Sequence, residues 1–246
     1  MMNKIAVIGG SNFAALQNLS LTHSTSVKTP FGEPSAPLSY GILGEHEVVY
    51  LPRRGSESPM APHLINYRAN IWALRDAGVQ TVIATAAVAT IVSEFAPGDL
   101  VIPDQLIDYT YGRDNTFVGE DENEDDNITH VNFAQPYSES LRQLMIQKAS
   151  DMKYQFQRKA TYGIVQGPRL ETVAEANRLS KDGCHLVGMT GMPEAALAKE
   201  LGLDYALIAV VVRNGANLPS TCKEMLQGRE SWVENLVEAI ILDAPK

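Results

Sequence analysis

The sequence predicts an α/β fold, a single domain over residues 1–246 with a central mixed β-sheet flanked by helices, and three observations carry that expectation. Residues 205–212 are an unbroken apolar run, Tyr205-Ala206-Leu207-Ile208-Ala209-Val210-Val211-Val212. A run without alternation is the pattern of a strand covered on both faces, as in a largely parallel sheet. Residues 186–200 read as a short apolar strand, a small-residue turn (Met189-Thr190-Gly191-Met192) and a helix opened by Pro193 with Glu194 in its first turn. Residues 62–77 form an amphipathic helix with Leu64, Ile65, Ile71, Trp72 and Leu74 on its buried side, closed by Gly78 and followed at once by a strand at 81–85. No internal repeat and no linker composition divides the chain.

The remaining elements follow in order. Residues 5–8 are a first strand ended by Gly9-Gly10-Ser11-Asn12, and residues 47–51 a second ended by Pro52-Arg53-Arg54-Gly55. Ala86-Ala87-Val88-Ala89-Thr90 reads as a small-residue turn, and residues 99–103 as a short strand. Residues 109–130 are a long polar excursion, and loops of that length are usually mobile or functional. A helix at about 136–152, a strand at 162–166, a helix at 171–181 stopped by Gly183 and a last helix at 230–242 complete the pattern.

Composition narrows the function. A net charge of −9 argues against a nucleic-acid surface, which needs clustered Lys and Arg. The acidic run at 120–126 reads as a solvated loop. Cys184 and Cys222 have no metal or CxxC spacing and suit a reducing compartment, and the five histidines show no ligand spacing, so no metal is expected. No apolar run is long enough to span a bilayer, and the N-terminal apolar stretch is too soon interrupted by Gly9-Gly10 to be an export signal. The expectation is a cytoplasmic protein that binds neither membrane nor nucleic acid.

Small or polar residues close four predicted strands: Gly9-Gly10-Ser11, Arg53-Arg54-Gly55, Thr85-Ala86-Ala87 and Met189-Thr190. Open α/β sheets hold ligands at such strand ends. Hydroxyls, exposed amides and a guanidinium together are what an oxyanion such as phosphate requires. Arg53, Arg54, Arg68 and Arg75 form a locally positive island in an acidic chain, suited to a small anion. No G-x-S-x-G elbow is present, and the glycine pair is not a dinucleotide fingerprint.

Several collinear stretches resemble the methylthioadenosine phosphorylases of the trimeric purine nucleoside phosphorylase family. They are Ile8-Gly9-Gly10-Ser11, Thr29-Pro30-Phe31-Gly32, residues 66–74, Pro97-Gly98-Asp99, residues 104–108, Gln166-Gly167-Pro168-Arg169 and residues 189–194. Asp108-Tyr109-Thr110, residues 166–175 and Gly188-Met189-Thr190-Gly191-Met192 are most similar to the bacterial branch acting on S-methyl-5′-thioinosine. The resemblance runs from residue 4 to about 212.

The resemblance implies phosphorolysis of a 6-oxopurine nucleoside, S-methyl-5′-thioinosine before others, to free base and pentose 1-phosphate. It implies phosphate as co-substrate, no cofactor, and a homotrimer with shared sites. Ser11, Arg53, Arg54, Ala86, Ala87 and Thr190 then fall at phosphate positions, Met189 against the ribose and Leu170 on the base. Residues 213–215 stand where the base is hydrogen-bonded, with Arg213 and Asn214 as the catalytic candidates and Gly215 beside them, and His130 resembles a residue that reaches the adjacent subunit's 5′ pocket.

Some positions depart from the family pattern. Arg54 and Ser58 replace histidines, Ser11-Asn12 replaces Thr-Gly, Ala89 replaces a glycine, and Arg213 replaces an aspartate or asparagine. Arg213 cannot accept a hydrogen bond but can donate to a 6-oxo group and N7. Two expectations stand: turnover, or binding of a nucleoside or anion without it.

Overall fold

The computed structural model describes residues 4–10, 16, 18–56, 59–118, 130–215 and 230–245. In chain order its strands are β1 (Lys4–Gly9), β2 (Ser20–Thr25), β3 (Leu38–Leu43), β4 (His46–Pro52), β5 (Val79–Thr90), β6 (Leu100–Val101), β7 (Gln105–Tyr109), β8 (Phe156–Gln157), β9 (Thr161–Val165), β10 (Leu186–Gly188) and β11 (Asp204–Asn214). The helices are α1 (Tyr67–Asp76), α2 (Glu139–Asp151), α3 (Val173–Lys181), α4 (Glu194–Glu200) and α5 (Glu230–Leu242).

The expected α/β domain with a mixed sheet is present. Its main path runs β2-β3-β4-β1-β5-β10-β9-β7, with β11 on the other side of β5 and β6 and β8 beyond it. β1 lies parallel between β4 and β5, β11 is parallel to β5, and β10 is antiparallel to β5. The unalternating run 205–212 sits inside β11, where Tyr205 to Val212 are all buried. Among the described residues no helix is long and apolar enough to cross a membrane.

Local signals explain the helix ends. Asn66 caps α1 by accepting from the Ala69 N–H, and Ser138 caps α2 through the Leu141 N–H. Thr172 and Glu175 form a reciprocal capping box at α3. The Asn66 cap also corrects the expected continuous helix over 62–77: residues 62–64 are a separate 3-10 turn, and the chain is extended at Ile65 before α1 begins.

A second correction matters more. Residues 86–90 are not a turn; β5 continues through them to Thr90. On one side β5 pairs with β11 from Thr81 to Thr90. On the other it pairs with β1 only as far as Ala84 and with β10 from Ala89. Residues 85–88 therefore have no strand partner on that second side among the described residues. This opening in the sheet is where the expected phosphate segment Thr85-Ala86-Ala87 falls.

Candidate active site

Four chain segments meet at the opening. The Arg53 N–H donates to the Gly9 carbonyl at 3.0 Å, tying the end of β4 to the end of β1. The Gly10 N–H donates to Thr85 Oγ1 at 3.0 Å, tying the chain after β1 to the open edge of β5. A Cβ on Gly10 would stand 2.9 Å from the Thr85 carbonyl oxygen, so only glycine permits this approach. The fourth segment is the turn 189–192 with the start of α4, and Arg53 brings it in.

Arg53 is buried, as is Glu194 in the first turn of α4. Its Nε and Nη2 donate to the two oxygens of the Glu194 carboxylate at 2.7 and 2.8 Å, and its Nη1 donates to the Thr85 carbonyl at 2.7 Å. Tyr205 Oη donates to the same carboxylate at 2.7 Å. Burial alone would lower the Arg53 guanidinium, but the adjoining carboxylate outweighs it and holds the group above its ordinary value. These bonds give Arg53 a structural part beside the one expected of it at the phosphate. The bidentate face that was to clasp an anion is already filled by Glu194, and Arg53 acts first as the rivet between β4, β5 and α4.

The expected positive island is likewise divided. Arg54 is half-buried and donates from Nε to the Met60 carbonyl at 2.7 Å, closing its own loop. Arg68 pairs with Asp114 at 2.5 Å and lies over the Phe31 ring. Thr190 is half-buried at the mouth of the turn. The turn that carries it leads into α4, whose Glu194 is held by Arg53, so Arg53 and Thr190 lie at the same end of the sheet. Ala86 is buried and Ala87 half-buried on the unpaired stretch of β5. Ser11 and Ser58 lie outside the described residues.

The side expected to hold the base is built from β11 and the connection from β9 to α3. Gly167 has φ +64°, and a Cβ there would stand 2.6 Å from Met189 Sδ, so the Met189 side chain lies directly beneath Gly167. Leu170 follows, half-buried. Arg213 is buried at the end of β11, just past the irregularity at Val212. Its Nη2 donates to Glu171 Oε2 at 2.8 Å, and its Nη1 donates to the Gly215 carbonyl. Arg213 is thus folded back onto its own strand end and onto a carboxylate that the motifs contained without marking. The Glu171 side chain is 6% exposed, and among the described residues its second oxygen, Oε1, is buried without a hydrogen-bond partner. Such an orphaned acceptor is costly unless a donor arrives. Asn214 is exposed and Gly215 half-buried. A cavity of about 410 Å³ lies alongside, lined by Tyr109, Gln166, Gly167, Arg169, Glu171 and Arg178.

Ala89, a departure from the pattern, lies in extended β5 opposite Val187, where alanine needs no unusual backbone. His130 is exposed, in a segment that Gln105 Nε2 pins to the sheet edge through the Ala134 carbonyl at 3.1 Å. Three residues of the frame escaped sequence reasoning. Glu194 and Glu171 had only their places in motifs, and Arg113 had no signal at all. From the excursion after β7, Arg113 reaches the carbonyls of Gln166, Met189 and Met192 at 2.9, 3.0 and 2.6 Å.

Known proteins share this architecture. The chain is 47% identical over 242 residues to a probable S-methyl-5′-thioinosine phosphorylase of Xanthomonas campestris, covering 98% of this chain and 94% of that one. It is 38% identical over 249 residues to a 6-oxopurine nucleoside phosphorylase of Pyrococcus furiosus, covering 99% and 93%. The crystal structure of methylthioadenosine phosphorylase from Schistosoma mansoni in its apo form superposes with a TM-score of 0.90 at 31% identity, over 97% of this chain and 90% of that one. The sequence profile of the phosphorylase superfamily matches residues 4–242. A β5 edge left open between β1 and β10, a cradle of strand ends around it and this span of likeness all lead to one conclusion: the chain belongs to the phosphorylase superfamily, in the branch that holds these nucleoside phosphorylases.

Proposed function

We propose that this chain splits a 6-oxopurine nucleoside with inorganic phosphate, S-methyl-5′-thioinosine being the preferred substrate. A phosphate oxygen bonds to C1′ as the C1′–N9 bond breaks, and the bonding pair leaves with the purine, which takes up a proton. The observation that carries the base assignment is the Arg213–Glu171 pair. A 6-oxopurine offers an N1–H donor beside an O6 acceptor; adenine offers the reverse. The orphaned Oε1 of Glu171 accepts from N1–H, and the Arg213 guanidinium donates to O6 and N7, stabilising charge as it develops on the leaving base. Adenine would set its N1 lone pair against a carboxylate oxygen, which disfavours it. The relatives named for thioinosine and 6-oxopurine nucleosides support this choice.

The phosphate lies in the opening beside residues 85–88, with the Thr190 hydroxyl, the Ala86 and Ala87 segment and Ser11 as partners. Met189 supports the ribose, Leu170 the base, and His130 completes the 5′ pocket of a neighbour in a homotrimer. Phosphate is the only co-substrate, and the reading needs neither metal nor organic cofactor. Cytoplasmic purine salvage is the setting. Binding without turnover gains no support from the relatives.

Incubation of purified protein with methylthioinosine, methylthioadenosine, inosine and guanosine, with and without phosphate, tests the proposal. Phosphate-dependent release of hypoxanthine is expected, with adenine released slower by about 10²-fold or more. Glu171→Gln should erase most of that preference. No base from any nucleoside at high protein concentration, or release indifferent to phosphate, would overturn it.

A further inference from the structure

The polar excursion after β7 is tied down on both sides of Arg113. Asp114 pairs with Arg68 of α1, and the Thr116 hydroxyl and Phe117 N–H both donate to Glu200 Oε1 at the end of α4, at 2.9 and 3.0 Å. Tyr111 N–H donates to Gln166 Oε1 at 3.2 Å. Between these anchors the Arg113 guanidinium enters the frame. Nε donates to Gln166 Oε1 at 3.1 Å, and Nη1 to the Met192 carbonyl at 2.6 Å and to Tyr67 Oη at 3.3 Å. Nη2 donates to the Gln166 and Met189 carbonyls at 2.9 and 3.0 Å. The group also lies over the Tyr67 ring, 5.3 Å from its centroid. Burial pushes the Tyr67 phenol up to about 12, and the Arg113 charge pulls against that rise.

Two of these acceptors bracket the turn that carries Thr190. One planar cation holds the carbonyl before it, Met189, and the carbonyl after it, Met192. The same cation holds the end of β9 at Gln166, next to the Gly167 that lies on Met189. A rigid fork with five donors can make this set of contacts; an ammonium cannot.

We infer that Arg113 is a positioning residue: it sets the Thr190 turn and the Gln166–Gly167 strand end at a fixed separation, and so aligns the phosphate with the nucleoside. This deepens the proposed phosphorolysis and rests on it. Misplacement of a positioning element by about 1 Å costs on the order of 10²-fold in rate. Arg113→Lys and Arg113→Ala are therefore expected to lower kcat by about 10²-fold and weaken inorganic phosphate binding in calorimetry by about tenfold, with guanidinium ion restoring part of the activity of Arg113→Ala. A merely structural arginine would lower the melting temperature but leave the phosphate affinity of the folded fraction untouched. If Arg113→Ala does not fold, Arg113→Lys carries the test. Folded variants with wild-type kcat and phosphate affinity would overturn the inference. Should the unaltered protein release no base, the proposed function fails separately. Hydrogen exchange at the Thr190 and Gly191 amides then decides the role of Arg113: faster exchange in Arg113→Lys supports it and unchanged exchange refutes it.

Discussion

Replacing Arg53 by methionine tests whether the cradle is held by an internal ion pair or by its ligand. Arg53 and Glu194 are 1% and 0% exposed and joined by two hydrogen bonds, with Thr85 and Tyr205 completing the network. Removing the cation leaves a buried carboxylate with the Tyr205 hydroxyl as its remaining partner in that network. Breaking a buried pair from one side costs about 3–5 kcal/mol, against about 0–1 for an exposed one. In a domain of this size each kcal/mol lowers Tm by about 2–4 °C, so a fall of roughly 6–20 °C is expected. Glu194→Leu should cost a similar amount. The double variant Arg53→Met/Glu194→Leu should recover much of the loss, because neither charge is then stranded. Urea and thermal unfolding followed by circular dichroism measure the cycle, and phosphate calorimetry on the single variants separates the two roles. Were Arg53→Met within about 1 kcal/mol of the unaltered protein yet unable to bind phosphate, the rivet would be the wrong description and the guanidinium would belong to the anion.

Two further outcomes are expected. Glu238 of α5 is buried and accepts from the Asn18 N–H and side-chain amide at 2.9 and 2.6 Å, so Glu238→Ala should cost about 1.5–3 kcal/mol in urea unfolding; a change below 0.5 would refute this. Glu175 is held down to about 2, first by its bidentate bond to Arg169 and then by the Thr172 N–H. A depressed carboxyl stabilises the fold fully above the ordinary glutamate range and ceases to do so as pH falls through about 2. Amide exchange in the first turn of α3 should therefore quicken between about pH 4.5 and 2, and Glu175→Gln should remove that pH step.

The elements that periodicity announced are those with a buried face: β1, β4, β11, α2 and α5 fall within a few residues of expectation. β2 was invisible because Ser20 to Thr25 are all exposed and offer no apolar alternation. The stretch 86–90 was misread for a physical reason. Alanines and threonine look like turn material, yet the same stretch runs on as β5, paired with β11 throughout and with β10 from Ala89. At the site, the adjacency of Arg53 to a strand end was legible, but its partner stands 141 positions away and no local pattern points to it. Arg213 was marked as a base-side residue, while the carboxylate that holds it is 42 positions earlier. Sequence motifs located the rim of the cradle; the long-range ion pairs that shape it belong to the folded chain alone.

The gap along β5 exists because one neighbouring strand stops early and another begins late. Its width is thus counted in backbone positions rather than carved by side chains. Exchanges around the mouth, such as arginine for histidine at 54 or alanine for glycine at 89, can alter what is admitted without sealing the slit. Closing it would take β1 pairing carried past Ala84 or β10 pairing begun before Ala89, a change in the course of the backbone.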